Sequence, residues 1–205
     1  MKTFLFIKTL AITVCSVLFL FSCGEKTAQE DQSKNTSNTA TTTETNPDQI
    51  QQSEVDNKTK EHVNEVLDKY YSLKSALVET DAQKAKSAGE KLAGLIENFD
   101  TSNLQADLLS KYESISEKIH QHAETVAQAE DIEVQRQSFS DITAGVYEMV
   151  KTYNVNDEEV YYAYCPMAFN DNGGYWLSAE KEIKNPYFGS KMMKCGSIRE
   201  TIAEN

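Results

Sequence analysis

Four stretches of the chain repeat apolar residues at the 3.6-residue period of an α-helix, and no other feature narrows the fold so much. The first sets Val63, Val66, Leu67, Tyr70 and Leu77 on one face. The second opens at Thr80 or Asp81 as its cap and aligns Ala85, Ala88, Leu92, Leu95, Ile96 and Phe99. The third runs through Leu104, Leu108, Tyr112, Ile115, Ile119, His122 and Val126. The fourth carries Ile132, Phe139, Ile142, Val146, Met149, Val150 and Tyr153. Each stripe must be buried against another. Asp100-Thr101-Ser102 and Glu130-Asp131 are short connections, so neighbouring helices turn back on one another. Residues 56–156 are therefore expected to form an antiparallel four-helix bundle around a single core.

The pattern changes in residues 157–205. Val160 to Cys165 is aromatic and extended in character, and Asn170 to Gly174 supplies turn residues. Eight aromatics fall between Tyr161 and Phe188, the single Trp176 among them. Asn185-Pro186 and Gly189 interrupt the chain again before Met192 and Met193. The expectation is a small irregular or β-containing tail packed on the bundle, making a mainly α fold.

This tail holds the residues most able to do chemistry. Cys165-Pro166-Met167 is followed, 30 residues after its cysteine, by Met192-Met193-Lys194-Cys195. Thiolates and thioethers are soft donors that favour Cu(I), whereas hard cations prefer carboxylates and carbonyls. The candidate ligands are Cys165, Met167, Met193 and Cys195, with Met192 and His122 as secondary candidates. The same spacing suits a disulfide. A Cys165–Cys195 bond would close a loop of about 30 residues and stabilise the fold by roughly 3–4 kcal/mol in the chain-entropy model. Both readings stand at this point. A methionine is more often a filler of irregular core gaps than a ligand, and Met149 on the fourth stripe is read as core.

Histidine adds little. His122 lies on the third apolar stripe, and His120 is about 200° away around the axis, so the two do not form a joint site. His62, near the start of the first helix, is expected to face solvent. A Cys165 nucleophile with a histidine base is formally conceivable. Yet no Gly-x-Ser-x-Gly, His-Glu-x-x-His, phosphate loop or Cys-x-x-Cys motif occurs. The chain is read as a non-enzyme.

Residues 1–22 begin with charge at Lys2 and Lys8 and become apolar through Leu10 to Phe21, the pattern of a secretory signal. The run ends in Leu20-Phe21-Ser22-Cys23, which resembles the lipobox of bacterial lipoprotein signals. That resemblance implies lipid on Cys23, a membrane anchor and a location in the cell envelope, facing the periplasm or the exterior. Residues 23–55 are Thr, Ser, Asn, Gln and charge with almost no apolar side chain, a tether with a reach of roughly 30 Å. Removing residues 1–22 takes two of 20 basic residues and none of 32 acidic ones, so 18 face 32 and the mature charge is −14. Such a chain has no electrostatic route to nucleic acid or to anionic lipid head groups.

Several strings also resemble a known family. They are Tyr164-Cys165-Pro166-Met167-Ala168-Phe169, Gly174-Tyr175-Trp176-Leu177-Ser178, Glu182-Ile183, Asn185-Pro186-Tyr187-Phe188-Gly189 and Met192 to Gly196. Asp131 to Arg136 with Phe139 adds to them. Together, over roughly residues 61–202, they are similar to a domain of unknown function. That domain occurs in stand-alone bacterial lipoproteins and joined to periplasmic adaptor proteins of copper and heavy-metal efflux pumps. The resemblance implies a helical domain with a Cys/Met tail, a role in metal handling, and an efflux adaptor or another envelope protein as partner.

Overall fold

A computed structural model describes residues 55–203. The signal segment 1–22, Cys23 and nearly all of the expected tether 23–55 lie outside the described residues.

All four periodic stretches are helices: α1 Asn57–Glu79, α2 Ala82–Glu97, α3 Ala106–Gln128 and α4 Ile132–Tyr153. Three begin at an aspartate whose carboxylate accepts from an otherwise unpaired backbone amide in the first turn. Asp56 takes the amide of Thr59 at 3.0 Å, Asp81 that of Lys84 at 2.9 Å and Asp131 that of Glu133 at 2.9 Å. Thr80 is therefore not the α2 cap. It ends α1 instead, in the left-handed region at φ 58°. Each helix packs on the next in sequence and α1 also meets α4, which closes an antiparallel four-helix bundle.

The α3 stripe differs from expectation at one turn. Ala123 is fully buried, whereas His122 is only partly covered and its Nδ1 lies 3.6 Å from Asp141 Oδ2 on α4. The cause is the close approach of α2 and α3. A Cβ at Gly89 would lie 2.9 Å from the Ala123 carbonyl oxygen, so the two helices touch through their smallest residues. An imidazole has no room there. The inward placement of His122 was incorrect.

His62 is corrected in the opposite sense. It is only 5 % exposed, its ring stacks on Phe99 at 3.8 Å between centroids, and Nε2 lies 2.9 Å from the Tyr112 hydroxyl. Phe99 sits beyond the end of α2, and it is this residue after the helix that covers the imidazole.

After α4 the chain forms three antiparallel strands: β1 Val160–Cys165, β2 Gly174–Ser178 and β3 Ser197–Ile202, in the order β2-β1-β3. Ala163 pairs with Trp176 and Cys165 with Gly174 on one side; Tyr164 pairs with Ser197 on the other. The sheet shares the bundle's core, with Val160, Ala163, Trp176, Leu177 and Tyr187 in the same buried cluster as the helical stripes.

Polar bonds fix how sheet and helices meet. Thr143 Oγ1 gives its one proton to the Phe139 carbonyl at 2.9 Å, so the Tyr70 hydroxyl 2.8 Å away donates to Thr143. Tyr70 in turn accepts the backbone amide of Leu177 in β2 at 2.9 Å. One buried phenol thus joins α1, α4 and β2. At the far edge, Glu200 of β3 accepts from Tyr147 and Lys151 of α4, each at 2.8 Å.

Candidate functional site

Cys165 is the last residue of β1, and its pairing with Gly174 fixes its backbone. Cys195 lies in the segment just before β3, which is anchored by Ser197 on Tyr164. The end of β1 and the approach to β3 are thereby brought together, and Cys165 and Cys195 form a disulfide with a Cα–Cα separation of 5.7 Å. Oxidised sulfurs offer no thiolate to an ion, so the described state is one in which the pair is closed to metal.

The two sulfurs have unequal surroundings. Cys165 is fully buried, while Cys195 is partly buried at the edge of the core. Met167, two residues beyond Cys165, is 47 % exposed. Met192 and Met193 are half-buried. His122 is on α3 against Asp141 and takes its place in the bundle, not in the tail. The structure therefore brings Cys165 and Cys195 together, carries Met167 and Met193 beside them in the chain, and leaves His122 elsewhere. Among the described residues, no group of three or more His, Cys, Asp and Glu side chains is arranged to hold a metal ion.

Asn185 builds the second half of the site and was legible only as a turn former. It is fully buried. Its amide nitrogen Nδ2 donates to the Cys195 carbonyl at 2.8 Å, and its backbone amide donates to the Met193 carbonyl at 3.0 Å. Its Oδ1 accepts from the backbone amides of Tyr187 and Phe188 at 2.8 and 3.2 Å, and its carbonyl accepts from Gly189 at 3.0 Å. The Met193–Cys195 segment is thus hung on one asparagine. Gly196 follows at φ 137°, and a Cβ there would lie 2.6 Å from the Trp176 ring. Only glycine lets the chain pass the indole and enter β3.

On the Cys165 side, the connection to β2 turns through three successive residues in the left-handed region: Phe169, Asn170 and Asp171, at φ 54°, 56° and 66°. Each such residue costs about 1–2 kcal/mol relative to a right-handed one, less for Asn and Asp. The Phe169 ring packs edge-on against Tyr187 at 4.9 Å between centroids, which holds the turn in place.

Arg136 couples this region to the bundle. It is 2 % exposed; Nε donates to the Pro186 carbonyl at 3.0 Å, and Nη2 reaches the Leu77 carbonyl at 3.4 Å and Thr80 Oγ1 at 3.2 Å. Nη1 donates to Glu133 at 2.7 Å. The sole sequence signal for Arg136 was a cation at a position that the helical period turns toward the core.

A family model described as a protein of unknown function (DUF3347) matches residues 66–158. The match covers most of the bundle and stops just short of β1, so it does not reach the tail strings on which the sequence resemblance chiefly rested. No curated protein and no solved structure matches the chain.

Proposed function

We propose that this chain is an envelope lipoprotein, anchored through lipid on Cys23, that takes a soft metal ion on its reduced Cys165–Cys195 pair. Cu(I) is the ion that two thiolates with thioether partners favour. Met167 and Met193 are the thioethers assigned to it, with Met192 in reserve. The role is buffering, or hand-over to an efflux adaptor or another envelope protein. The observation that supports this reading most is convergence: two cysteines 30 residues apart in sequence meet with their Cα atoms 5.7 Å apart. One ion bridging two thiolates needs that proximity. The proposal involves no catalytic step.

Metal analysis tests it. The full chain, reduced and incubated with Cu(I), should hold one equivalent more than the Cys165→Ser/Cys195→Ser double variant. Equal metal content in the two would remove the proposal.

A second reading is favoured by the burial of Cys165 and its bond to Cys195. The disulfide is then a permanent closure of a tail that serves as an interaction surface. Tyr175, 41 % exposed and stacked on Tyr162 at 4.7 Å, would be part of that surface. This reading expects no free thiol at Cys165 or Cys195 in protein taken directly from the envelope, so a thiol count separates the two.

A further inference from the structure

The two halves of the disulfide are held by different means, through backbone and side-chain contacts other than the S–S bond. Cys165 is fixed by its β1–β2 pairing with Gly174, and the Cys195 segment by the amide of Asn185 and by the Ser197–Tyr164 pairing. None of those hydrogen bonds involves a sulfur atom. The two residues also differ in access: Cys165 has no exposed surface, and Cys195 has some. A nucleophile that reaches the disulfide from solvent therefore meets Cys195.

We propose that the bond is a redox gate opened by an external dithiol, with Cys195 as the attacked sulfur, Cys165 as the buried leaving sulfur, and Asn185 as the residue that keeps the pair in register once it is open. A thiolate of the external dithiol attacks Cys195 Sγ; its new S–S bond to Cys195 forms as the Cys165–Cys195 bond breaks. The electron pair of the broken bond stays on Cys165, which takes up a proton given by the partner dithiol. The second thiol of the partner then displaces Cys195. The partner ends as a disulfide, and Cys165 and Cys195 end as two thiols, two electrons and two protons having moved. The gate gains its purpose from the metal-binding reading, since only the open pair has thiols that an ion can bind with release of their protons, but the order of attack does not depend on it.

Glutathione is the probe, because a monothiol has no second thiol of its own to resolve the mixed disulfide, which an early acid quench then traps. The native full chain is treated with excess glutathione without metal, quenched in acid and mapped by peptide mass, which assigns Cys15 and Cys23 separately. Glutathione should be found on Cys195. Glutathione on Cys165, or equally on both, overturns the proposal, as does a bond that resists attack until the domain unfolds. The single variants give a second measurement. The thiol of Cys195 in Cys165→Ser should be alkylated about 100-fold or more faster than that of Cys165 in Cys195→Ser, because reaction at a buried sulfur waits on local opening. Equal rates in two folded variants would contradict the assignment. A failure here with retained Cu(I) binding sinks the gate alone; loss of Cu(I) binding with the labelling order intact sinks the metal reading alone.

Discussion

Arg136 of α4 donates through Nε to the carbonyl oxygen of Pro186 at 3.0 Å, in a setting where the arginine is almost wholly buried. Pro186 directly follows the asparagine that carries the Cys195 segment, so the guanidinium ties the candidate site to the helices. Its second nitrogen bonds the C-terminal turn of α1, giving one side chain a grip on three parts of the chain.

Arg136→Met should consequently destabilise the domain by about 2–4 kcal/mol, because the carbonyls of Pro186 and Leu77 lose a buried donor. Arg136→Lys should recover little of it, since an ammonium cannot reproduce a planar fork of donors. Urea denaturation of both variants measures this. A Lys variant as stable as the parent would show that charge alone is what the site needs.

His62 predicts a pH effect with a definite sign. Burial lowers its pKa from 6.5 to about 4. The Tyr112 hydroxyl lies 3.5 Å from the Ile96 carbonyl and donates to it, so it accepts from a neutral His62 through Nε2–H. The unfolded chain binds more protons than the folded one between those two values. The contribution is whole above pH 6.5 and is lost as the pH falls toward 4, by up to about 3 kcal/mol at 1.36 kcal/mol per pKa unit. Stability measured across that window should fall more steeply for the parent than for His62→Gln. Parallel curves would count against the buried neutral imidazole.

The left-handed turn after Met167 should be relieved by glycine. Asp171 is exposed at φ 66°, so Asp171→Gly removes a steric cost with no packing lost. The expected gain is small, about 0.5–1 kcal/mol, because glycine also loosens the unfolded chain. Thermal denaturation should show a modest rise in midpoint. A fall would mean that the carboxylate contributes more than its backbone costs.

The bundle was legible because its signals are local. Stripes at a 3.6-residue period and the cap offered by Thr80 or Asp81 report helix faces and a helix start without knowledge of the partner helix. The misreadings were tertiary. His122 and Ala123 differ by one position, and only the close pass of α2 at Gly89 decides which of them faces inward. His62 is covered by Phe99, a residue from past the end of another helix, which no periodicity in α1 can announce. Strand β3 escaped notice because Ser197–Ile202 is an exposed edge with no strict alternation of apolar and polar residues. Within the tail, the convergence of Cys165 and Cys195 was legible as a pair. Their bonded state was not, because the same spacing serves a disulfide and a dithiol equally well.

The asymmetry of the pair bears on what the tail can do. A staple needs only that two sulfurs meet. Here contacts at Asn185, Gly174 and Ser197 also join the two segments to their surroundings, and none of them runs through a sulfur.

The most direct test compares one protein in two redox states. The full chain carrying Cys15→Ser and Cys23→Ser has Cys165 and Cys195 as its remaining cysteines, so reduction changes nothing else of this kind. Titrated against a coloured Cu(I) chelator, the reduced form should withdraw one equivalent of Cu(I) that the oxidised form leaves on the chelator. Superimposable titrations of the two forms would contradict a metal site at this pair.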